Sequence, residues 1–143
     1  PPPPPPPPPP PAFFFHHQAG IGAQPRSRGL GDVYKRQSPE FDQFIRLLEE
    51  NENMWSKVSC PERLSQSGPP TYADVVPFAK RVVETFPDRV LWGTDWPHPN
   101  MKSHMPDDGN LVDYVPKIAV TDELQRKLLV DNPMRLYWPE ETS

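Results

Sequence analysis

Residues 38–143 are expected to adopt an α/β fold of parallel βαβ units. Three observations predict this. Amphipathic helix patterns alternate with short apolar strands. The run Arg89-Val90-Leu91-Trp92-Gly93 is mostly apolar, as suits a strand covered on both faces by other elements. Residues able to do chemistry stand just after the strands, where α/β sheets collect their reactive groups.

The elements follow in order. Ser38-Pro39-Glu40 reads as a helix start, with serine at the N-cap, proline at the first helical position and an acid in the first turn. Phe41, Phe44, Ile45 and Leu48 then recur at helical spacing until Asn51 to Asn53 end the helix. Met54 to Ser59 is a short strand, followed by a loop from Cys60 to Thr71. A second helix is expected over 72–85, with Val75, Val76, Ala79, Val82, Val83 and Phe86 on its core face. Pro77 is awkward inside it and marks either a kink or a later start. The strand at 89–93 leads into a long loop over 94–109 and a helical stretch near 111–118. A last helix over 121–130 has Thr121 as N-cap and Leu124, Leu128 and Leu129 buried, and Asn132-Pro133 is expected to break it. Two strands alone leave their edges open, so earlier strands are expected to have been lost near Gln37.

Composition divides the chain. Of the 24 prolines, 12 lie in residues 1–37, which carry a net charge of +3 against −7 for the remainder. An acidic globular part argues against a nucleic-acid partner, which requires clustered Lys and Arg. A single cysteine, Cys60, excludes an intrachain disulfide and suits a reducing cytoplasm. No apolar run reaches the roughly 18 residues of a membrane span, so neither a membrane nor a signal segment is expected.

Pro1 to Pro11 cannot donate backbone hydrogen bonds and would form a polyproline II rod. Asp32-Val33-Tyr34-Lys35-Arg36-Gln37 resembles the in-frame translation of a transposase adapter used in preparing sequencing libraries. Residues 1–37 are therefore expected to be disordered, proline-rich and foreign to the domain at 38–143. His16 and His17 are assigned no metal role.

Asp95 and His98 follow the second strand and Arg63 lies in the loop after the first, so all three open onto one face. A carboxylate there can act as a base when its surroundings tune its proton affinity. A guanidinium offers a planar fork suited to a substrate carboxylate. His98 either donates to substrate or orients Asp95. Trp96 is expected at the mouth of the site, Tyr72 is a weaker polar candidate, and His104 belongs to an exposed loop.

Trp92-Gly93-Thr94-Asp95-Trp96-Pro97-His98-Pro99 resembles the last barrel strand of the amidohydrolase superfamily, in the amidohydrolase-related subfamily of lactonases, decarboxylases and hydratases. Cys60-Pro61-Glu62-Arg63-Leu64-Ser65, Met105-Pro106-Asp107-Asp108-Gly109 and Leu129-Val130-Asp131-Asn132-Pro133-Met134-Arg135-Leu136-Tyr137 extend the likeness. Within the subfamily it is similar to the 2-pyrone-4,6-dicarboxylate hydrolases and sulfomuconolactone hydrolases. The resemblance implies the C-terminal part, about the last two β/α units, of a (β/α)8 TIM-like barrel, which in full needs roughly 200–250 residues. It implies a lactonase of aromatic-compound breakdown acting on a small dicarboxylate lactone, with Asp95 as general base and Arg63 and His98 binding substrate.

The family's His-x-His pair and middle-strand histidines have no match here. The 143-residue chain is accordingly expected to turn over little substrate, to bind no zinc or other cofactor, and to self-associate through its strand edges. Full-length superfamily members often hold zinc on the matching aspartate. The alternatives are a metal-dependent decarboxylase or hydratase of the same subfamily, and a non-enzymatic interaction protein acting through Pro1 to Pro11.

Overall fold

The computed structural model describes residues 13–16, 39–99, 101 and 104–141. The polyproline tract, the adapter-like segment 32–37 and the Ser38 N-cap lie outside the described residues. Three parallel strands form one sheet in the order β1 (Phe13–His16), β2 (Met54–Lys57), β3 (Val90–Leu91). Phe13 pairs with Met54 and His16 with Lys57, while Ser56 pairs with Val90 and Lys57 with Leu91. Hydrogen bonding runs past the strands proper: Val58 N donates to Leu91 O at 2.9 Å, and Gly93 N donates to the Ser59 hydroxyl at 3.0 Å. The parallel sheet agrees with the α/β expectation. At Phe13–His16, inside the segment expected to be disordered, the structure instead forms a strand. Aromatic residues favour extended backbone, and pairing with β2 covers an edge that would otherwise stay open.

Helix α1 (Pro39–Glu50) buries Phe41, Ile45 and Leu48 of the predicted stripe and leaves Phe44 half-buried against the core. Arg89, just before β3, donates from its guanidinium to Leu48 O, Asn51 O and Met54 O. It thereby satisfies carbonyls that the end of a helix leaves without partners. The one-turn helix α2 (Pro61–Leu64) occupies part of the predicted loop. Helix α3 (Val76–Thr85) begins four residues later than predicted and has Pro77 in its first turn, where a missing N–H costs nothing. Its core face gains Phe78, whose ring meets Phe41 edge to face at 5.0 Å.

Helix α4 (Asp108–Ile118) starts before the predicted stretch, because Asp107 accepts from Gly109 N and Asn110 N and caps it. Pro116 lies inside α4, and the carbonyl it leaves free belongs to exposed Val112. Helix α5 (Asp122–Arg126) has the predicted Thr121 cap, accepting from Leu124 N at 3.2 Å. Beyond it the expected break at Asn132-Pro133 does not occur. A π turn (Lys127–Asp131) carries the helical path into α6 (Asn132–Tyr137), with Asn132 N donating to Lys127 O. The wider turn accommodates Pro133 and rotates Leu129 outwards to 45% exposure, contrary to its predicted burial, while Leu128 stays fully buried. Asn132 anchors the new segment, its side-chain amide donating to Pro87 O and Val90 O at 2.8 Å each. Among the described residues, no helix is long and apolar enough to cross a membrane.

Candidate active site

Because β2 and β3 run parallel, the chains leaving them emerge on the same side of the sheet. After β2, Cys60 adopts a left-handed conformation (φ 61°) and Pro61 opens α2, so this single turn projects Glu62 and Arg63. The loop is closed behind them by Asp74. Its carboxylate accepts from the Ser65 hydroxyl, from the Ser67 hydroxyl at 2.7 Å and from Gln66 N at 2.6 Å. Partial burial opposes ionisation of Asp74, but these hydrogen bonds outweigh it and hold the carboxyl at about 2.

After β3, the chain turns sharply. His98 N donates to Asp95 O at 2.8 Å across a cis Trp96–Pro97 bond, with Asp95 at φ 65° and His98 at φ 58°. Among the described residues, the non-glycine residues with positive φ are Cys60, Tyr72, Asp95 and His98. Such backbone is uncommon for side-chain-bearing residues.

Asp95 and Arg63 meet in this space. An Arg63 guanidinium nitrogen pairs with Asp95 Oδ2, and the Asp95 side chain keeps 29% exposure, so water reaches it. Arg63 Nε has no hydrogen-bond partner among the described residues. Cys60 lies against the same carboxylate. Burial, then the charges of Glu62 and Asp95, push its thiol up to about 12, which keeps it protonated and poorly nucleophilic.

His98 is 3% exposed, and its Nε2 lies 3.1 Å from Asp108 Oδ1. The ring thus faces protein on that side rather than open space. Glu62 is 6% exposed, and neither of its carboxyl oxygens has a hydrogen-bond partner among the described residues. Burial raises its carboxyl above the ordinary range. Tyr72 is buried, its hydroxyl has no hydrogen-bond partner among the described residues, and burial together with the Glu62 charge raises its phenol. Trp96 is 74% exposed beside Asp95, and His104 is exposed. Glu62 and Asp108 were not singled out from sequence, although both stand inside the motifs that carried the family likeness. Their relevance depends on burial and proximity, which spacing does not report.

Cys60, Glu62 and Asp95 offer ligand atoms within 4.8 Å of one another. The set suits a divalent cation poorly: the thiol resists ionisation, no imidazole takes part, and the Arg63 guanidinium already neutralises Asp95.

A family model described as amidohydrolase matches residues 22–138, a range that begins inside the segment expected to be foreign. The chain is 67% identical over 121 residues to a 2-pyrone-4,6-dicarboxylate hydrolase of Comamonas testosteroni, covering 79% of this chain and 40% of that protein. It is 42% identical over 101 residues to a 4-sulfomuconolactone hydrolase of Hydrogenophaga intermedia, covering 69% of this chain and 33% of the relative. A crystal structure of the Agrobacterium tumefaciens protein ATU3138 in its apo form superposes with a TM-score of 0.61 at 28% identity, over 72% of this chain and 36% of that one. The chain therefore spans about 40% or less of the length of these relatives.

Proposed function

Since the chain belongs to the amidohydrolase family, we propose that it supplies the base-bearing part of a lactone hydrolase acting on a small dicarboxylate lactone such as 2-pyrone-4,6-dicarboxylate. Three parallel strands with covering helices, together with the superposition on a longer relative, support reading it as the last β/α units of a (β/α)8 barrel. The observation that carries the functional reading is the Arg63–Asp95 pair beyond the ends of adjacent parallel strands.

Asp95 takes a proton from water as the water oxygen attacks the ring carbonyl. The ring C–O bond then breaks, the departing ring oxygen takes up the proton that Asp95 removed, and the new carboxylic acid, which keeps the second hydrogen of the water, releases that proton to solvent. Arg63 holds Oδ2, and its guanidinium is assigned also to a carboxylate of the substrate. His98, turned onto Asp108, is assigned to orienting Asp95 rather than to touching substrate. The reaction as proposed uses no metal, in keeping with the poor ligand set at Cys60, Glu62 and Asp95.

The test is a segment exchange. Residues 38–138 replace the matching part of the Comamonas testosteroni enzyme, and loss of the pyrone ring absorbance is followed. Hydrolysis by the exchange protein, lost on Asp95→Asn, is expected. A folded exchange protein that hydrolyses equally well with asparagine at 95 overturns the reading.

We further propose that the chain self-associates through a strand edge of the sheet. A monodisperse monomer in sedimentation velocity would count against this.

A further inference from the structure

A buried ionisable group without a partner needs a physical account, because an unmet buried polar atom forfeits its hydration without compensation. Glu62 is such a group. It lies on the single turn of α2, with both oxygens unpartnered among the described residues. The nearest imidazole atom is His98 Nδ1, 3.9 Å from Glu62 Oε1, and that nitrogen is also buried and unpartnered. The same ring's Nε2 lies 3.1 Å from Asp108 Oδ1 in the first turn of α4. His98 N in turn closes the turn that starts at Asp95. One imidazole therefore stands between the loop after β2, the turn after β3 and the start of α4.

We propose that Glu62 is a positioning residue, whose buried carboxyl engages His98 Nδ1 so that Glu62, His98 and Asp108 form a bridge setting the turn that presents Asp95. The proposal rests on Asp95 being the base of the hydrolase reading. The remaining ionisable groups around Glu62 are Cys60, Arg63, Tyr72 and Asp95. A guanidinium nitrogen of Arg63 is paired with Asp95, and the ion-pair approach to Glu62 among the described residues is that of His98 Nδ1. In the proposed bridge the Glu62 carboxyl donates to Nδ1, 3.9 Å away, while Nε2–H donates to Asp108. That arrangement selects one tautomer of His98. Glutamine at 62 keeps a donor at the same place, whereas alanine removes it.

The experiment has two arms. In the first, the imidazole nitrogens of the 143-residue chain are observed by 15N NMR, with His98 assigned by comparison with His98→Gln. The expected spectrum has His98 as a single Nε2–H tautomer near neutral pH, retained in Glu62→Gln and lost to a mixture in Glu62→Ala. A wild-type ring averaging between tautomers like free imidazole overturns the proposal even if Glu62→Ala does not fold, and so does a His98 pattern unchanged in a folded Glu62→Ala.

In the second arm, the segment-exchange enzyme carries the same substitutions. Glu62→Ala is expected to lower kcat by about 10- to 100-fold with KM little changed, as misplacement of a reacting group does. Glu62→Gln restores most of the loss. Equal kcat in the two variants overturns the positioning role. Because the NMR arm needs no turnover, an inactive exchange enzyme with the tautomer pattern intact counts against the hydrolase reading and leaves the bridge standing.

Discussion

Arg63 and Asp95 lie 32 residues apart in the chain, yet the guanidinium of one is paired with Oδ2 of the other beyond the ends of β2 and β3. The pair joins two loops that share no other side-chain ion pair among the described residues except the longer approach of Glu62 to His98. The proposed base and the guanidinium paired with it are thus brought together by parallel strand register rather than by a local motif.

Removing the base should show directly in rate. Asp95→Asn in the segment-exchange enzyme is expected to reduce kcat by about 10²- to 10⁴-fold, the usual contribution of a positioned general base. Steady-state hydrolysis of 2-pyrone-4,6-dicarboxylate measures it, and a loss of less than threefold would assign the base elsewhere.

The two roles given to Arg63 predict that its effects will not add to those of Asp95. Arg63→Lys should raise KM and also lower kcat, because an ammonium lacks the planar fork that serves a carboxylate on each side. In a double-mutant cycle with Asp95→Asn, the second substitution should cost far less than it does alone. Additive losses would mean that the two side chains act independently.

Asp74 should make the Arg63 loop sensitive to acid. Its folded value of about 2 lies below the roughly 3.9 of an unfolded aspartate, so its stabilisation is complete above the unfolded value and is lost as pH falls towards 2. Urea unfolding of wild type and Asp74→Asn should therefore differ at neutral pH and converge near pH 2. A gap that stays constant with pH would show that the carboxylate's charge is irrelevant to the loop.

The π turn makes a prediction about two neighbouring leucines. Leu128, fully buried, should cost about 2–5 kcal/mol on truncation to alanine. Leu129, at 45% exposure, should cost within about 0.5 kcal/mol. Equal costs in denaturant titration would mean that the helix continues in ordinary register and buries both.

Much of the domain was legible in the chain itself. The stripe Phe41, Ile45 and Leu48 marked α1, because helical periodicity is a local property. Thr121 marked the start of α5 for the same reason, since a cap bonds within its own first turn. Errors arose where distant contacts decided. Pro133 reads as a breaker until Asn132 is seen bonded to Pro87 O and Val90 O, which keeps the helix on course through a π turn. Phe13–His16 sits in a segment dominated by proline, and only pairing with β2 makes it a strand.

By itself the sequence determined the alternation of helices and strands, the family, and Arg63 and Asp95 as the residues to watch, because each is written in local spacing or in a contiguous motif. Tertiary structure decided that Arg63 is paired with Asp95, that His98 is turned onto Asp108, and that Glu62 is buried with no hydrogen-bond partner for its side chain among the described residues. These are relations between residues brought together by parallel pairing of β2 and β3. Register between strands is a long-range choice governed by burial and backbone hydrogen bonding, and periodicity along one strand carries no record of it.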